Sequence, residues 1–203
     1  MTDAADLYVH AETQGRPGAP LVVTLHGTGG TERQFHDAAS DLLPGAHVVS
    51  PRGDVSEGGA LRFFRRAAEG VYDMDDLARA TEAMARFVSA HRDRVGATRT
   101  IALGYSNGAN IAASVALAHP EVFTDLALLH PLIPWDPAPQ PGLAGTRILV
   151  TAGRRDPICP APMTEALIAY LSAQDAQVTS EWHAGGHEIA PAEVEALTAF
   201  LRG

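Results

Sequence analysis

The chain has 203 residues, of which 46% are hydrophobic, and its 15 Lys and Arg against 24 Asp and Glu give a formal net charge of −9. This length predicts one domain over residues 1–203, and the acidity argues against nucleic acid or an anionic membrane as partner. A single cysteine, Cys159, excludes an intrachain disulfide, and no apolar run is long enough to span a membrane. The N-terminus is acidic, unlike a signal peptide, and these features together predict a cytoplasmic protein.

Short continuous apolar runs alternate along the chain with longer stretches of helical period. The connections between the runs are too long for hairpins, so the pattern predicts an α/β fold: a mostly parallel sheet with helices on both faces. The predicted parallel strands are 21–25, 47–50, 100–103, 125–129, 147–151 and 178–182. An antiparallel edge strand is predicted over 7–10.

Capping residues and helical periods mark the segments between the strands. Thr31 and Gln34 form a capping-box pattern, and Asp73 can cap the next helix. The segments 52–72 and 131–145 show no regular period, and the second is rich in proline. The predicted helices are, in chain order, 31–43, 73–95, 107–118, 161–172 and a last one that opens at Pro191.

The run Gly104-Tyr105-Ser106-Asn107-Gly108 is a G-x-S-x-G motif that joins a predicted strand directly to a predicted helix. A nucleophile elbow requires this context, because its serine must project above the sheet from a sharp turn between glycines. The motif alone is weak in a chain with 19 glycines. The alternative is a glycine-rich turn with a capping serine.

A serine hydroxyl needs a base, since its own pKa leaves it inert at neutral pH. Asp156 and His187 both follow later predicted strands, in the chain order Ser, Asp, His of this type of site. The carboxyl ends of parallel strands lie at one edge of the sheet, so both side chains are expected near Ser106. Asp136 and His183 are the weaker alternatives, and the competing interpretation makes Asp156 and His187 ordinary turn residues.

A tetrahedral intermediate also needs donors for its oxyanion. The backbone N–H of Asn107, next to the serine, is one expected donor, and Thr28 in the glycine-rich segment 26–30 is the other. A phosphate-binding loop is the alternative for that segment, but neither the G-x-G-x-x-G nor the P-loop spacing is present. A plain glycine-rich turn also remains open.

Taken together, these motifs resemble the small carboxylesterase, phospholipase and acyl-thioesterase branch of the α/β-hydrolases, and within it bacterial hydrolases of the quinone-stress (methylhydroquinone-induced) type. The resemblance implies Ser106 as nucleophile, Asp156 and His187 as its triad partners, and Thr28 with Asn107 as oxyanion donors. Many such proteins are dimers, which makes a homodimer an expectation to test. Asn107 departs from the glutamine of the thioesterase relatives, which weakens transfer of long-chain thioester specificity. The motifs that carry the resemblance are His26-Gly27-Thr28-Gly29, Pro51-Arg52-Gly53, Arg62-Phe63-Phe64-Arg65-Arg66, the run from Gly104 to Asn110, Asp156-Pro157-Ile158-Cys159 and Gly186-His187.

Two segments are expected to form the substrate pocket. Phe63 and Phe64 follow the second core strand and could supply an apolar wall, although packing into the core is an equal alternative. Leu132, Ile133 and Trp135 leave a strand at the same edge of the sheet and are expected on the acyl side.

The sequence thus predicts a serine hydrolase that cleaves a small-molecule carboxylic ester and needs no metal or organic cofactor. A thioesterase or lysophospholipase with the same triad is the alternative, and a non-catalytic binding protein is a more distant one. Arg62, Arg65 and Arg66 could bind an acidic substrate group, but salt bridges are the favoured interpretation. Cys159 lies between two prolines rather than at an elbow, so it is expected to be a buried small side chain rather than a nucleophile.

Overall fold

The structure, a computed structural model, describes residues 3–203; Met1 and Thr2 of the predicted 1–203 domain lie outside the described residues. Its strands are β1 (His10–Thr13), β2 (Leu21–Leu25), β3 (His47–Pro51), β4 (Val55–Glu57), β5 (Ala60–Arg62), β6 (Arg66–Ala68), β7 (Val71–Tyr72), β8 (Thr100–Tyr105), β9 (Asp125–Leu129), β10 (Arg147–Gly153) and β11 (Gln177–His183). Its helices are α1 (His36–Leu42), α2 (Met74–Val95), α3 (Asn107–Ala118), α4 (Ala161–Ala173) and α5 (Pro191–Arg202). Short 3-10 turns lie at Ala4–Asp6 and Pro141–Leu143.

Seven strands form the central sheet, in the order β1-β3-β2-β8-β9-β10-β11. Only β1 runs antiparallel to its neighbour, and the other six strands are parallel. Along β2, Val23 and Leu25 pack into a core with α2, α3 and α4, whereas Val22 packs into a second core with α1 and α5. Burial on both faces explains why these strands are continuous apolar runs. The predicted α/β fold class is confirmed.

The sheet has a switch point between β2 and β8. The chain leaves β2 toward β3 on one side, and then returns to place β8 on the other side of β2. Helices after these strands therefore lie on opposite faces, which leaves a crevice at the carboxyl ends of β2 and β8. Ser106 follows β8 directly and Thr28 follows β2, so the topology gathers both at this crevice.

The first helix begins later than its capping-box pattern predicts. The prediction of a helix over 31–43 is wrong at its start, because α1 opens only at His36 and residues 32–35 form turns. Gln34 does not return to the Thr31 backbone: its side-chain Oε1 accepts the N–H of Gly27 at 2.9 Å. The expected capping partner is thus used to hold the loop that follows β2.

The second predicted cap is confirmed. The Asp73 carboxylate accepts the backbone N–H of Asp76 at 3.0 Å and so satisfies one of the free donors at the start of α2. The helix ends at Gly96, whose φ of 65° is the left-handed conformation that glycine adopts without steric strain. This 22-residue helix carries much of the core on its face of the sheet.

Two other predicted segments differ from the structure. The edge strand is His10–Thr13 rather than 7–10, because residues 7 and 8 form a bend, where the buried Tyr8 ring packs 5.3 Å from that of Phe87. The segment 52–72, predicted to be irregular, contains two small antiparallel hairpins, β4–β5 and β6–β7. Glycines at positive φ form their turns, a conformation that the hydrophobic pattern does not report.

Candidate active site

Ser106 occupies a strained turn between β8 and α3. Its φ and ψ are 52° and −116°, a conformation that a non-glycine residue adopts only when its surroundings hold it there. A Cβ on Gly104 would lie 2.5 Å from the Gly108 oxygen, and one on Gly108 would lie 2.0 Å from the Leu25 oxygen. The Ser106 N–H donates to Leu129 O at 2.8 Å. The predicted elbow geometry is therefore present, with both glycines required by close backbone contact.

The structure brings Ser106, His187 and Asp156 into one hydrogen-bonded line. Ser106 Oγ lies 2.9 Å from His187 Nε2, and His187 Nδ1 lies 2.7 Å from Asp156 Oδ2. The other carboxylate oxygen, Oδ1, accepts the backbone N–H groups of Ile158 and Cys159 at 2.8 and 2.9 Å. This arrangement can hold the imidazole with its proton on Nδ1 and its lone pair toward the serine hydroxyl.

Asp156 remains ionised despite being buried. Burial by itself raises the pKa of this carboxyl. The backbone N–H of Cys159 and the imidazoles of His187 and His130 together lower it by more, so the pKa ends below its ordinary value. An ionised carboxylate can only accept hydrogen bonds, so it selects the Nδ1–H form of His187.

Neither alternative partner is brought to Ser106. His183 lies at the end of β11, where its Nδ1 accepts the Gly185 N–H at 3.0 Å and its Nε2 faces Glu193. Asp136 lies in the proline-rich loop and lines a separate groove. Neither residue lines the cavity that contains Ser106.

Two backbone N–H groups are available next to Ser106. Asn107 is the first residue of α3, where helical N–H groups have no partner within the helix. In the loop after β2, the amides of Gly27, Gly29 and Gly30 already donate to protein acceptors. Within residues 3–203, the Thr28 N–H has no such acceptor. Thr28 and Asn107 both line the Ser106 cavity, so the arrangement leaves the two expected oxyanion donors free.

The cavity at Ser106 is small, about 280 Å³. Its apolar lining comes from Leu132, Ile158 and the thiol of Cys159, and burial raises the pKa of that thiol, so it stays protonated. The polar and charged lining consists of Thr28, Arg62, Arg66, Glu69, Tyr72 and Asn110. Such a site is suited to a small substrate with polar groups near the scissile bond.

The predicted pocket wall of Phe63 and Phe64 is wrong. Both side chains are fully buried, and neither lines the cavity at Ser106. The Phe63 ring packs 4.6 Å from that of His26, and the Phe64 ring packs 4.8 Å from that of Tyr72. A hydrogen bond from the Phe63 N–H to Asn107 Oδ1 fixes this segment against α3, which turns the two rings into the core.

Of the three residues expected on the acyl side, only Leu132 lines the cavity. Ile133 and Trp135 line a neighbouring groove of about 390 Å³, which does not contain Ser106 or His187. The backbone after β9 turns at this point, so consecutive side chains face two different spaces. The prediction for Ile133 and Trp135 is therefore wrong for the Ser106 cavity itself.

A core position for Phe64 leads to a stability prediction. We expect Phe64→Ala to lower the free energy of unfolding by about 3–5 kcal/mol, because it removes a large buried ring and leaves a cavity. Urea denaturation measures this, with Val71→Ala as control because Val71 is 55% exposed. A loss below about 1 kcal/mol, together with altered ester selectivity, would return Phe64 to the pocket wall.

The three clustered arginines are paired with carboxylates, as the sequence favours. Arg62 differs from the prediction in being buried: its guanidinium donates to Thr28 Oγ1 at 2.6 Å and to Phe64 O at 3.2 Å, with Glu57 3.3 Å away. Burial, and then the charge of Arg66, lower the pKa of Arg62. Arg62 thereby ties the β5 segment to the loop that carries the Thr28 N–H. The remaining ion pairs are Arg65 with Asp73 and Asp76, and Arg66 with Glu57 and Glu69.

A hydrogen-bonded trio in the cavity wall escapes prediction from the sequence. Asn110 Nδ2 donates to Tyr72 Oη at 2.8 Å, and Tyr72 Oη donates to Leu132 O at 2.8 Å. The Leu132 N–H completes the ring by donating to Asn110 Oδ1 at 2.7 Å. Separations of 38 and 22 positions carry no local signal for these contacts.

Two further buried groups, His130 and Glu193, also escape prediction. His130 Nδ1 lies 2.8 Å from Asp156 Oδ2, and its Nε2 lies 3.0 Å from Glu193 Oε1. A sequence signal for Glu193 does exist, because it lies four and eight residues before Leu197 and Leu201 on the buried face of α5. A carboxylate on an apolar helix face is expected to have a partner.

Two groups among the described residues have ligand atoms close enough to hold a metal ion, all within 4.8 Å of one another. In both, the imidazoles face carboxylates at hydrogen-bond or ion-pair distance, an arrangement that needs no ion. The prediction of no metal or cofactor stays a prediction. The groups are His130 with Asp156 and His187, and His130 with His183 and Glu193.

The parallel sheet with its serine elbow at the switch point defines the class of this protein, a hydrolase with the α/β-hydrolase fold. None of its helices within residues 3–203 has the length and apolar character needed to cross a membrane. A family model described as "Putative esterase" matches residues 8–186, and the chain therefore belongs to this esterase family.

Similarity to individual proteins supports this assignment. The chain is 37% identical over 177 residues to "Putative hydrolase MhqD" of Bacillus subtilis (strain 168), covering 86% of this chain and 88% of that one. A protein of unknown function from Agrobacterium tumefaciens str. C58, Atu2452, has a structure with TM-score 0.93 and 51% identity over 98% of both chains. A Bacillus cereus carboxylesterase superposes with TM-score 0.88 and 35% identity, covering 96% of this chain and 93% of that one. The family predicted from the motifs is confirmed.

Proposed function

We propose that this chain is a serine carboxylesterase that hydrolyses small esters through an acyl-enzyme. The observation that carries the proposal is the aligned set of Ser106 Oγ, the His187 ring and the buried, ionised Asp156, at 2.9 and 2.7 Å. Membership of the esterase family supports the reaction class. The homodimer and the cytoplasmic location expected from the sequence are part of the proposal.

The reaction follows from the donors and acceptors present. His187 Nε2 takes the hydroxyl proton of Ser106 as Oγ bonds to the ester carbonyl carbon. The carbonyl oxygen becomes an oxyanion that accepts hydrogen bonds from the N–H groups of Thr28 and Asn107. When the tetrahedral intermediate collapses, the bond to the alcohol oxygen breaks and His187 returns the proton to the leaving alcohol.

The second half of the reaction repeats these steps with water. His187 Nε2 takes a proton from water as the water oxygen bonds to the acyl carbon; collapse then breaks the bond to Ser106 Oγ, and His187 returns the proton to that oxygen. The carboxylic acid leaves and the serine hydroxyl is restored. Asp156 remains ionised throughout, holding the imidazole and balancing the imidazolium charge.

The cavity argues for a small acyl group. A volume of about 280 Å³, with Leu132, Ile158 and Cys159 as its apolar side chains, leaves little room for a long acyl chain. This favours short-chain esters over lysophospholipids or long-chain thioesters, which use the same triad chemistry. A non-catalytic binding protein would have no need of a base aligned on the serine.

A probe and a substrate panel test the proposal together. We expect a fluorophosphonate to attach once per chain, at Ser106, and p-nitrophenyl acetate and butyrate to be hydrolysed faster than the octanoate, the dodecanoate or matched thioesters. Labelled-peptide mass spectrometry and initial rates are the measurements. If the chain shows neither labelling nor turnover, the non-catalytic binding protein is favoured. A preference for long-chain thioesters would favour the thioesterase.

A further inference from the structure

A second histidine shares the carboxylate that holds His187. His130 follows β9 at a φ of 51°, and its side chain is fully buried. Its Nδ1 lies 2.8 Å from Asp156 Oδ2, the same oxygen that His187 Nδ1 contacts at 2.7 Å. Its Nε2 lies 3.0 Å from Oε1 of the fully buried Glu193, at ion-pair distance but without the direction of a hydrogen bond. The triad is thus continued into the protein by a third imidazole–carboxylate contact.

Both ring nitrogens of His130 face ionised carboxylates. Burial raises the pKa of Glu193, but the adjacent His130 ring and hydrogen bonds from the Thr151 hydroxyl and the Ala190 N–H bring it below its ordinary value. Asp156 is held ionised in the same way. Because carboxylates only accept hydrogen bonds, the His130 ring is most stable with a proton on each nitrogen. Burial opposes this charge, yet Glu193 and Asp156 raise the pKa of His130 overall.

His183, the other imidazole beside Glu193, is in a different state. Its Nδ1 accepts the N–H of Gly185 at 3.0 Å, so this nitrogen carries no proton. Its Nε2, 3.3 Å from Glu193 Oε2, therefore carries the single proton of a neutral ring. The positive charge of this cluster consequently lies on His130.

We propose that His130, a buried imidazolium between Asp156 and Glu193, is a positioning residue for His187. It keeps the His187 ring unprotonated, and so able to act as a base, at lower pH than Asp156 alone would allow. This inference rests on the proposed esterase function. The physical reason is twofold: His130 neutralises much of the Asp156 charge, and its ring centroid lies 5.0 Å from that of His187, where it opposes a second positive charge. Glu193 in turn stabilises the charge of His130.

The other groups around the two rings do not account for the effect. Burial raises the pKa of Tyr105 to about 12 and also raises that of the Cys159 thiol, so both are neutral at assay pH. The ionisable groups unchanged in a His130 variant are Tyr105 on β8, Cys159 after β10, His183 on β11, Glu188 before α5, and Arg62, Arg66 and Glu69 in the cavity wall. A change in pH dependence between the variant and the wild type therefore reports on position 130.

The test compares pH profiles of kcat/KM for p-nitrophenyl acetate. Asparagine tolerates a positive φ and keeps a donor, so His130→Asn is the variant of choice. We expect its acid limb to move to higher pH by about one unit or more, since removing a positive charge favours protonation of the base. His36→Asn, a buried histidine on α1, is the matched control and should leave the limb in place. An unmoved limb, or one that moves to lower pH, would contradict the proposal.

Nitrogen NMR of the histidine rings provides a second readout, and its first part uses the wild-type protein alone. In wild-type protein at pH 7.5 we expect one imidazole protonated on both nitrogens, and in Glu193→Gln we expect that ring to lose a proton at lower pH than in the wild type. Nine neutral rings in the wild type would overturn the proposal. So would one equivalent of bound divalent metal in the purified protein, lost in Glu193→Gln, because His130 would then be a ligand.

Different results would contradict the proposed function and the proposed role of His130. If the wild type shows neither ester turnover nor fluorophosphonate labelling, the proposed function fails, and the NMR spectra still decide whether His130 is charged. If turnover and labelling are present but the acid limb of His130→Asn stays in place, only the role of His130 is lost.

Discussion

Ser106→Ala is expected to lower kcat/KM for a short ester by about five to six orders of magnitude. The loss removes the only atom that can bond to the carbonyl carbon in the proposed acyl-enzyme. What remains comes from the two backbone N–H groups and from substrate binding, neither of which depends on the hydroxyl. Initial rates at high enzyme concentration, with the background hydrolysis subtracted, measure the effect.

Folding of this variant is expected to be nearly unchanged. The surrounding backbone imposes the strained conformation at position 106, with its φ of 52°. Alanine would adopt this conformation at the same energetic cost as serine. The hydroxyl contacts His187 Nε2 at the cavity, so its removal leaves no buried group unpaired in the core. Ser172→Ala, on an outer turn of α4, is the matched control and should keep full activity. A folded Ser106→Ala with near-normal turnover would remove the serine, and with it the triad, from the mechanism.

His187→Ala should be nearly as damaging, and Asp156→Asn should lower kcat/KM by about four orders of magnitude. The amide introduced by Asp156→Asn could turn a donor toward His187 Nδ1 and so favour the tautomer whose Nε2 already carries a proton. In this chain the same oxygen also accepts from His130, so the substitution disturbs two imidazoles at once. Rates on one short ester across pH measure both variants.

The pH dependence and two control variants complete this test. In the wild type, kcat/KM should rise with pH and then level off, because only a neutral imidazole accepts the serine proton. His183→Ala should retain most activity, since its ring faces Glu193 rather than Ser106, and Asp136→Asn should have little effect. An inactive His183→Ala beside an active His187→Ala, or Asp136→Asn more harmful than Asp156→Asn, would show that the partners of the elbow are wrongly assigned.

Local patterns in the sequence were sufficient wherever residues close together along the chain decide the structure. Continuous apolar runs located the six parallel strands, because strands buried on both faces have no polar side. The Asp73 cap of α2 and the close contact of Gly104 with Gly108 are likewise local, since both partners lie within four residues, whereas the second glycine, Gly108, is required by Leu25 on the neighbouring strand. The same patterns failed at Gln34, whose side chain is bound by Gly27 instead of by its own helix.

The fold class, the esterase family and the positions of Ser106, Asp156 and His187 at the ends of three strands could all be predicted from the amino-acid sequence. Thr28, Asn107 and Leu132 of the cavity lining could also be predicted, but most other side chains around the three residues could not, because tertiary packing selects them. Phe63 and Phe64 turn into the core because Asn107, 44 positions away, binds the Phe63 N–H. His130 and Glu193 meet behind Asp156 because α5 packs against β10 and β11 on one face of the sheet. Such contacts depend on strand order and helix packing, which join distant segments and leave no periodic trace in the sequence.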